Sequence, residues 1–233
     1  MHDEFRPVIV FALFPGVTQL DFTGPHEVFS SLPGASVILA STEGGTIEAT
    51  GGMSFSGLRR LSEVPECDVV CVPGGIGATD SAIRDTVFLA ELRRLAATAR
   101  FVTSVCTGSL VLGAAGLLRG KRAATHWGWR DLLAPFGAIA DTARVVRDGN
   151  VITGGGVTAG MDFALSVVAE LVGDEAAQAI QLRMEYAPAP PFNAGSPETA
   201  PPPILARVRE RMATFAGQRR AAVETAAARL TVS

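Results

Sequence analysis

Four short apolar runs recur through the first half of the chain: PVIVFALF (7–14), ASVILAST (35–42), DVVCVP (68–73) and FVTSVC (101–106). They lack the strict polar–apolar alternation of a half-exposed strand, so they read as buried strands covered on both faces. Longer segments with helical spacing separate them. GPHEVFSSL (24–32) reads as a helix with Pro25 in its first turn. Residues 80–99 carry Ile83, Phe88, Leu89, Leu92 and Leu95 as a helical stripe, and TGSLVLGAAGLL is a helix after the fourth run. KRAATHW leads into another short strand, followed by DLLAPFG. Residues 158–172 and 174–186 read as two helices parted at Gly173. The pattern predicts an α/β fold with a mostly parallel sheet sandwiched by helices. Residues 46–56 form a peripheral hairpin in this reading, and ARVVRDGNVITGGG a second one around Asp148–Gly149–Asn150. Ligands of such sheets bind at the carboxyl ends of strands. Three ends stand out: Phe14–Pro15–Gly16, Pro73–Gly74–Gly75 and Val105–Cys106–Thr107–Gly108.

The expected organisation is one α/β domain over residues 1–186, then a Pro-rich arm and C-terminal helix over 187–233. The arm, APAPPFNAGSPETAPPP (187–203), cannot be regular structure. Residues 204–230 resume a helical pattern rich in Ala and Arg, read as a helix lying on the domain or at a dimer contact. With 48% hydrophobic residues in 233, a sizeable core is within reach. A net charge of -3 with scattered Lys and Arg argues against nucleic acid as a partner. PVIVFALF is too short to span a bilayer, so no membrane is expected, and MHDEFRP is not signal-like. Three cysteines without repeated spacing are not a disulfide framework and fit a reducing cytoplasm.

Cys106 carries the strongest chemical signal. It ends a buried strand, a helix starts at once, and Gly108 leaves room for close helix–strand approach. This is the thiol counterpart of the hydrolase nucleophile elbow. The helix N-terminus beside the sulfur predicts a lowered thiol pKa and selective reactivity. A small buried residue at a tight turn is the competing explanation. Cys71 inside its strand, and Cys67 just before it, read as inert core thiols. Of the histidines, His2 is terminal, His26 lies in the first helix turn and His126 follows RAAT; none follows the elbow closely, and a structural role suits His126. No histidines or cysteines have metal-ligand spacing, and no cofactor is expected. Asp21 and Glu27 follow the first strand end and could supply a carboxyl to the thiol, Asp21 from among Leu20 and Phe22. Helix capping and a dipole contact are the plainer roles for these two acids. Thr107 adds a hydroxyl beside the nucleophile. Gly74–Gly75 could present N–H groups to developing charge.

Taken together, FPGVTQLDFTGPHEVF, VPGGIGA, VTSVCTGSLVLGAAGLLRGKRAATHW and GGGVTAGMDFAL resemble the ThiJ/PfpI superfamily across nearly all of residues 7–186. Within it the chain is similar to the isonitrile hydratases, and the tail YAPAPPFNAGSPETAP (186–201) shares that similarity. The resemblance implies a flavodoxin-like, class I glutamine-amidotransferase-like fold and metal-free addition of water to an isonitrile, giving an N-substituted formamide. It implies Cys106 as nucleophile through a thioimidate, Asp21 as its acidic partner, Thr107 as a further required residue, and a homodimer. The backbone near Gly75 and Ile76 is the expected stabiliser of charge on the substrate. The same core motifs occur in the sensor domains of AraC-type regulators, so a small-molecule or redox-sensing binding protein is the alternative. Such regulators continue into a DNA-binding module larger than the segment after the arm. Asp21 in place of the glutamate of many superfamily members, and Thr107 after the nucleophile in place of the histidine of the peptidases, count against a peptidase.

Overall fold

The computed structural model describes residues 6–230. His2 lies outside them. Eight strands form the central sheet: β1 (Val8–Ala12), β2 (Ser36–Ser41), β3 (Gly45–Glu48), β4 (Ser54–Arg60), β5 (Val69–Val72), β6 (Phe101–Val105), β9 (Val145–Asp148) and β10 (Val151–Gly154). A separate parallel pair joins β7 (Arg122–Ala123) to β8 (Ile139–Ala140). The sheet order is β3-β4-β2-β1-β5-β6-β10-β9. Its core is parallel, and antiparallel pairing is confined to the two edge hairpins, β3–β4 and β9–β10. The four apolar runs are four of these strands. Every residue of β5 and β6 is buried, as double-sided coverage requires.

The helices are α1 (Leu20–Ser30), α2 (Thr86–Thr98), α3 (Gly108–Ala114), α4 (Ala159–Val172), α5 (Asp174–Arg183) and α6 (Pro202–Leu230). Helix α1 starts four residues earlier than its sequence suggests. Pro25 therefore sits inside the helix, not in its first turn, and Asp21 takes the first turn. Packing accounts for the proline: a side chain at Gly160 of α4 would press on its ring. The stripe over 80–99 is divided. A π-helical turn covers Ala78–Ala82, and Asp85 Oδ1 then caps α2 by accepting from the N–H groups of Val87 and Phe88. Helix α3 is only seven residues long and ends before LLRG. A kinked 3-10 stretch, Trp127–Phe136, follows β7.

Strand β1 sits between β2 and β5, so successive connections leave it in opposite directions. That switch point opens a crevice at the carboxyl ends of β1, β5 and β6. Helix α6 packs back on this body, with Ala222, Val223 and Ala226 buried in the same core as the sheet. No helix among the described residues is long and apolar enough to cross a membrane.

Candidate active site

Cys106 leaves β6 in a left-handed conformation, φ 56°, which a residue with a side chain adopts only under constraint. Neighbouring groups supply the constraint. The Cys106 N–H donates to Gly154 O of β10 at 3.1 Å. Its carbonyl accepts from Thr125 Oγ1 and Ser109 Oγ, each at 3.1 Å. Helix α3 then starts directly over β5, where a Cβ at Gly108 would overlap the Val72 carbonyl oxygen. The close approach read from Gly108 is therefore real, and it leaves Cys106 buried at the carboxyl edge of the sheet.

Asp21 and Thr107 meet at the neighbouring strand end. Asp21 is fully buried, and its Oδ2 accepts from the Gly74 N–H at 2.9 Å. Thr107 Oγ1 accepts from the Gly75 N–H at 2.9 Å and donates to the Gly75 carbonyl at 3.1 Å. Gly74 has to be glycine, since a Cβ there would lie 2.5 Å from Thr107 N and 2.8 Å from Asp21 Oδ2. One expectation needs correction. The Gly75 N–H is committed to Thr107, so it is not a free donor for substrate charge. The Ile76 side chain is exposed.

The electrostatics also depart from expectation. Burial, chiefly, pushes the Asp21 carboxyl from 3.8 up to about 7, against the opposing pull of the Gly74 N–H and the Cys106 thiol. Asp21 Oδ1 is buried without a hydrogen-bond partner among the described residues. Cys106 is raised well above an ordinary thiol, not lowered: burial dominates and the Asp21 charge adds to it, outweighing the Thr107 N–H. A seven-residue helix cannot offset both effects. Thiol and carboxyl thus titrate as a coupled pair, each raised above its ordinary value. Cys67 and Cys71 are each pushed up to about 12, mainly by burial. Cys106 alone of the three stands at the elbow. Brief iodoacetamide treatment should therefore label it first, with a rate still climbing above pH 9. A plateau below pH 8, or equal labelling of all three on peptide mass spectrometry, would contradict this arrangement.

Glu27 is exposed and does not join the site. His26 packs on the Phe11 ring, 6.2 Å between centroids, and contacts Ser30. His126 caps the 3-10 stretch, its Nδ1 accepting from the Gly128 N–H at 3.3 Å, and burial and the neighbouring Arg219 and Arg130 charges lower its pKa. It lines a cavity of about 330 Å³ together with Thr125, Arg130, Gly155, Gly156 and Ser196. Arg130 and Arg219 were not singled out by the sequence, where arginines in helical segments look like a solvated face. Among the described residues no group of three His, Cys, Asp or Glu side chains could hold a metal ion.

A model of the DJ-1/PfpI family matches residues 7–170. An isonitrile hydratase of Pseudomonas putida is 51% identical over 222 residues, covering 95% of this chain and 97% of that protein. A ThiJ/PfpI family protein from Pseudomonas syringae, known as a crystal structure, shares the fold at a TM-score of 0.91 and 43% identity, covering 94% of this chain and 91% of that one. An HTH-type transcriptional regulator of Pseudomonas aeruginosa is 32% identical over 151 residues, covering 63% of this chain and 40% of the regulator. The mostly parallel sheet flanked by helices is thus the flavodoxin-like, glutamine-amidotransferase-like fold that the motifs implied.

Proposed function

This chain belongs to the DJ-1/PfpI family, and from that membership we propose that it is an isonitrile hydratase, adding water to an isonitrile to give an N-substituted formamide. The observation that carries the reading is the 51% identity to the Pseudomonas putida hydratase over 95% of the chain, a match that runs well past residues 7–170. The similarity to the regulator covers much less, 63% of this chain.

The geometry supports a two-step route through the chain's own residues. The pair's proton moves to Asp21, leaving a Cys106 thiolate. The thiolate sulfur bonds to the isonitrile carbon while Asp21 delivers its proton to that same carbon. The product is a thioimidate, Cys–S–CH=N–R, and Asp21 is now a carboxylate. It takes a proton from water, whose oxygen adds to the thioimidate carbon, and passes that proton to the nitrogen, which leaves Asp21 a carboxylate again. Collapse of the adduct expels the Cys106 sulfur and releases R–NH–CHO, and the remaining proton returns to the pair. The backbone at Ile76 is the group assigned in this scheme to the charge that develops in the second step. Thr107 is a positioning residue in this scheme, since its hydroxyl binds both polar groups of Gly75.

In this reading the protein is a cytoplasmic homodimer whose only partner besides its second copy is the small isonitrile. Purified protein mixed with an alkyl isonitrile should give the formyl-proton signal of the N-alkylformamide by NMR. A folded protein inert toward a panel of isonitriles, yet isolated with a bound metabolite, would favour the sensor reading.

A further inference from the structure

Both backbone polar groups of Cys106 are held by chain segments that are also held to each other. The Cys106 N–H donates to the Gly154 carbonyl at 3.1 Å, and the Cys106 carbonyl accepts from Thr125 Oγ1 at 3.1 Å. Gly154 ends β10, and Thr125 lies just past β7. The two segments meet one residue earlier. The Ala124 N–H donates to Thr153 Oγ1 at 2.8 Å, and that hydroxyl donates in turn to the Val146 carbonyl of β9 at 3.4 Å. A closed ring results, running from Cys106 through Gly154, Thr153, Ala124 and Thr125 back to Cys106. Thr125 and Thr153 are both buried, so solvent does not compete for either hydroxyl.

This ring surrounds the residue with the most constrained backbone in the site. Cys106 holds φ 56°, a conformation that costs free energy in any residue with a side chain. Two hydroxyls bind its carbonyl, and they differ in what they fix. Ser109 Oγ lies three residues along the same turn and moves with it. The Thr125 hydroxyl comes from 19 residues away and fixes the carbonyl relative to the sheet. With N–H and carbonyl both anchored, φ and ψ of Cys106 have little freedom, and the Cα–Cβ bond keeps one direction. The same peptide group carries the N–H of Thr107, whose hydroxyl binds both polar groups of Gly75. One anchor on the 106–107 peptide therefore serves two site residues.

We propose that Thr125 is a positioning residue for the nucleophile: its hydroxyl locks the left-handed elbow, so that the Cys106 sulfur stays beside Asp21 and Thr107 stays on Gly75. The turnover arm of this proposal rests on the hydratase reading, whereas the labelling arm stands without it. A hydroxyl that merely satisfied a buried carbonyl would support stability and leave the sulfur's reactivity alone.

The test uses Thr125→Val, which keeps the branched shape and removes the donor. For formamide release from an alkyl isonitrile, kcat should fall about ten- to a hundredfold, with KM changed less than about threefold. Thr125→Ser returns the hydroxyl and should restore most of the loss. Reactivity toward iodoacetamide should move the other way. A relaxed elbow frees the thiol from burial and from the Asp21 charge, the two influences that raise it most. Cys106 should therefore label at neutral pH at least about threefold faster in Thr125→Val, while Cys67 and Cys71 stay slow. Thr153→Val opens the ring on its far side and should give the same two changes, which keeps the test intact should Thr125→Val fold poorly. Wild-type kcat and wild-type Cys106 labelling in a less stable Thr125→Val would make the hydroxyl structural only and overturn the proposal. A loss carried by KM, a loss that Thr125→Ser leaves in place, or equal acceleration at all three cysteines overturns it too. If the wild type turns over no isonitrile, the hydratase reading fails, and labelling alone decides. Faster Cys106 labelling in Thr125→Val, reversed in Thr125→Ser, supports the proposal; unchanged labelling overturns it.

Discussion

Replacing Cys106 with Ala should reduce formamide production from an alkyl isonitrile by about a thousandfold or more, because the proposed route forms its covalent intermediate on the Cys106 sulfur. The fold should survive. Ala at position 106 meets the same left-handed backbone, φ 56°, that Cys106 already occupies, and the bonds that hold the turn come from Gly154, Thr125 and Ser109. Cys106→Ser should fall nearly as far. A hydroxyl holds its proton more tightly than a thiol, and the Asp21 charge that already raises the thiol would oppose an alkoxide still more. Rates of formamide formation, with circular dichroism confirming the fold, check both variants. Activity within tenfold of wild type in Cys106→Ala would remove the covalent route.

Asp21→Asn should lose activity by about two to four orders of magnitude and gain stability at the same time. The loss follows from proton transfer, since an amide neither delivers a proton to the isonitrile carbon nor takes one from water. The gain follows from linkage. The folded carboxyl titrates at about 7 against 3.8 ordinarily, so the native state binds more protons than the unfolded state between those values. The Asp21 contribution to wild-type stability therefore is full below about pH 4, falls as pH rises through this window, and stays reduced above pH 7, by about 4 kcal/mol at most. Asparagine has no ionised form, and it keeps an acceptor for the Gly74 N–H. Part of the gain is spent on a buried amide group, so a net increase of about 1–3 kcal/mol at pH 8 is expected. At pH 4 the gain should be gone, and the cost of the buried amide should leave the variant less stable than wild type. Thermal melts of both proteins at the two pH values measure this. A variant equally affected at pH 4 and pH 8 would mean that Asp21 is ionised throughout, and the coupled pair would fail with it.

The parts of this molecule that were legible in the sequence are those fixed by local pattern. The runs ending at Phe14, Pro73 and Cys106 could be buried strands only, and their ends converge at the switch point beside β1. Cys106 and Gly108 announced the elbow because a strand, a small residue and a helix follow one another directly. Asp21 and Thr107 were legible as types of residue, but the work of their polar atoms was not. That the Gly75 N–H belongs to Thr107 depends on how two strand ends meet across 32 residues of sequence. The direction of the thiol pKa was misread for a similar reason. A helix N-terminus is visible in sequence, whereas full burial beside a carboxylate is a property of the assembled core. Pro25 looked like a helix opener because proline is favoured in the first turn of a helix. Its real place was set by the packing of α1 on Gly160 of α4. Arg219 lies 113 residues beyond Cys106, and only the return of α6 across the body brings the two into one field.

The measurement closest to the central claim is intact mass spectrometry of the protein, acid-quenched in the first turnovers with an excess of alkyl isonitrile. The account predicts a transient species heavier by the mass of one isonitrile, mapping to the peptide that contains Cys106 and absent from Cys106→Ala. Formamide released while Cys106 stays unmodified at every quench time, with Cys106→Ala still turning over, would contradict it.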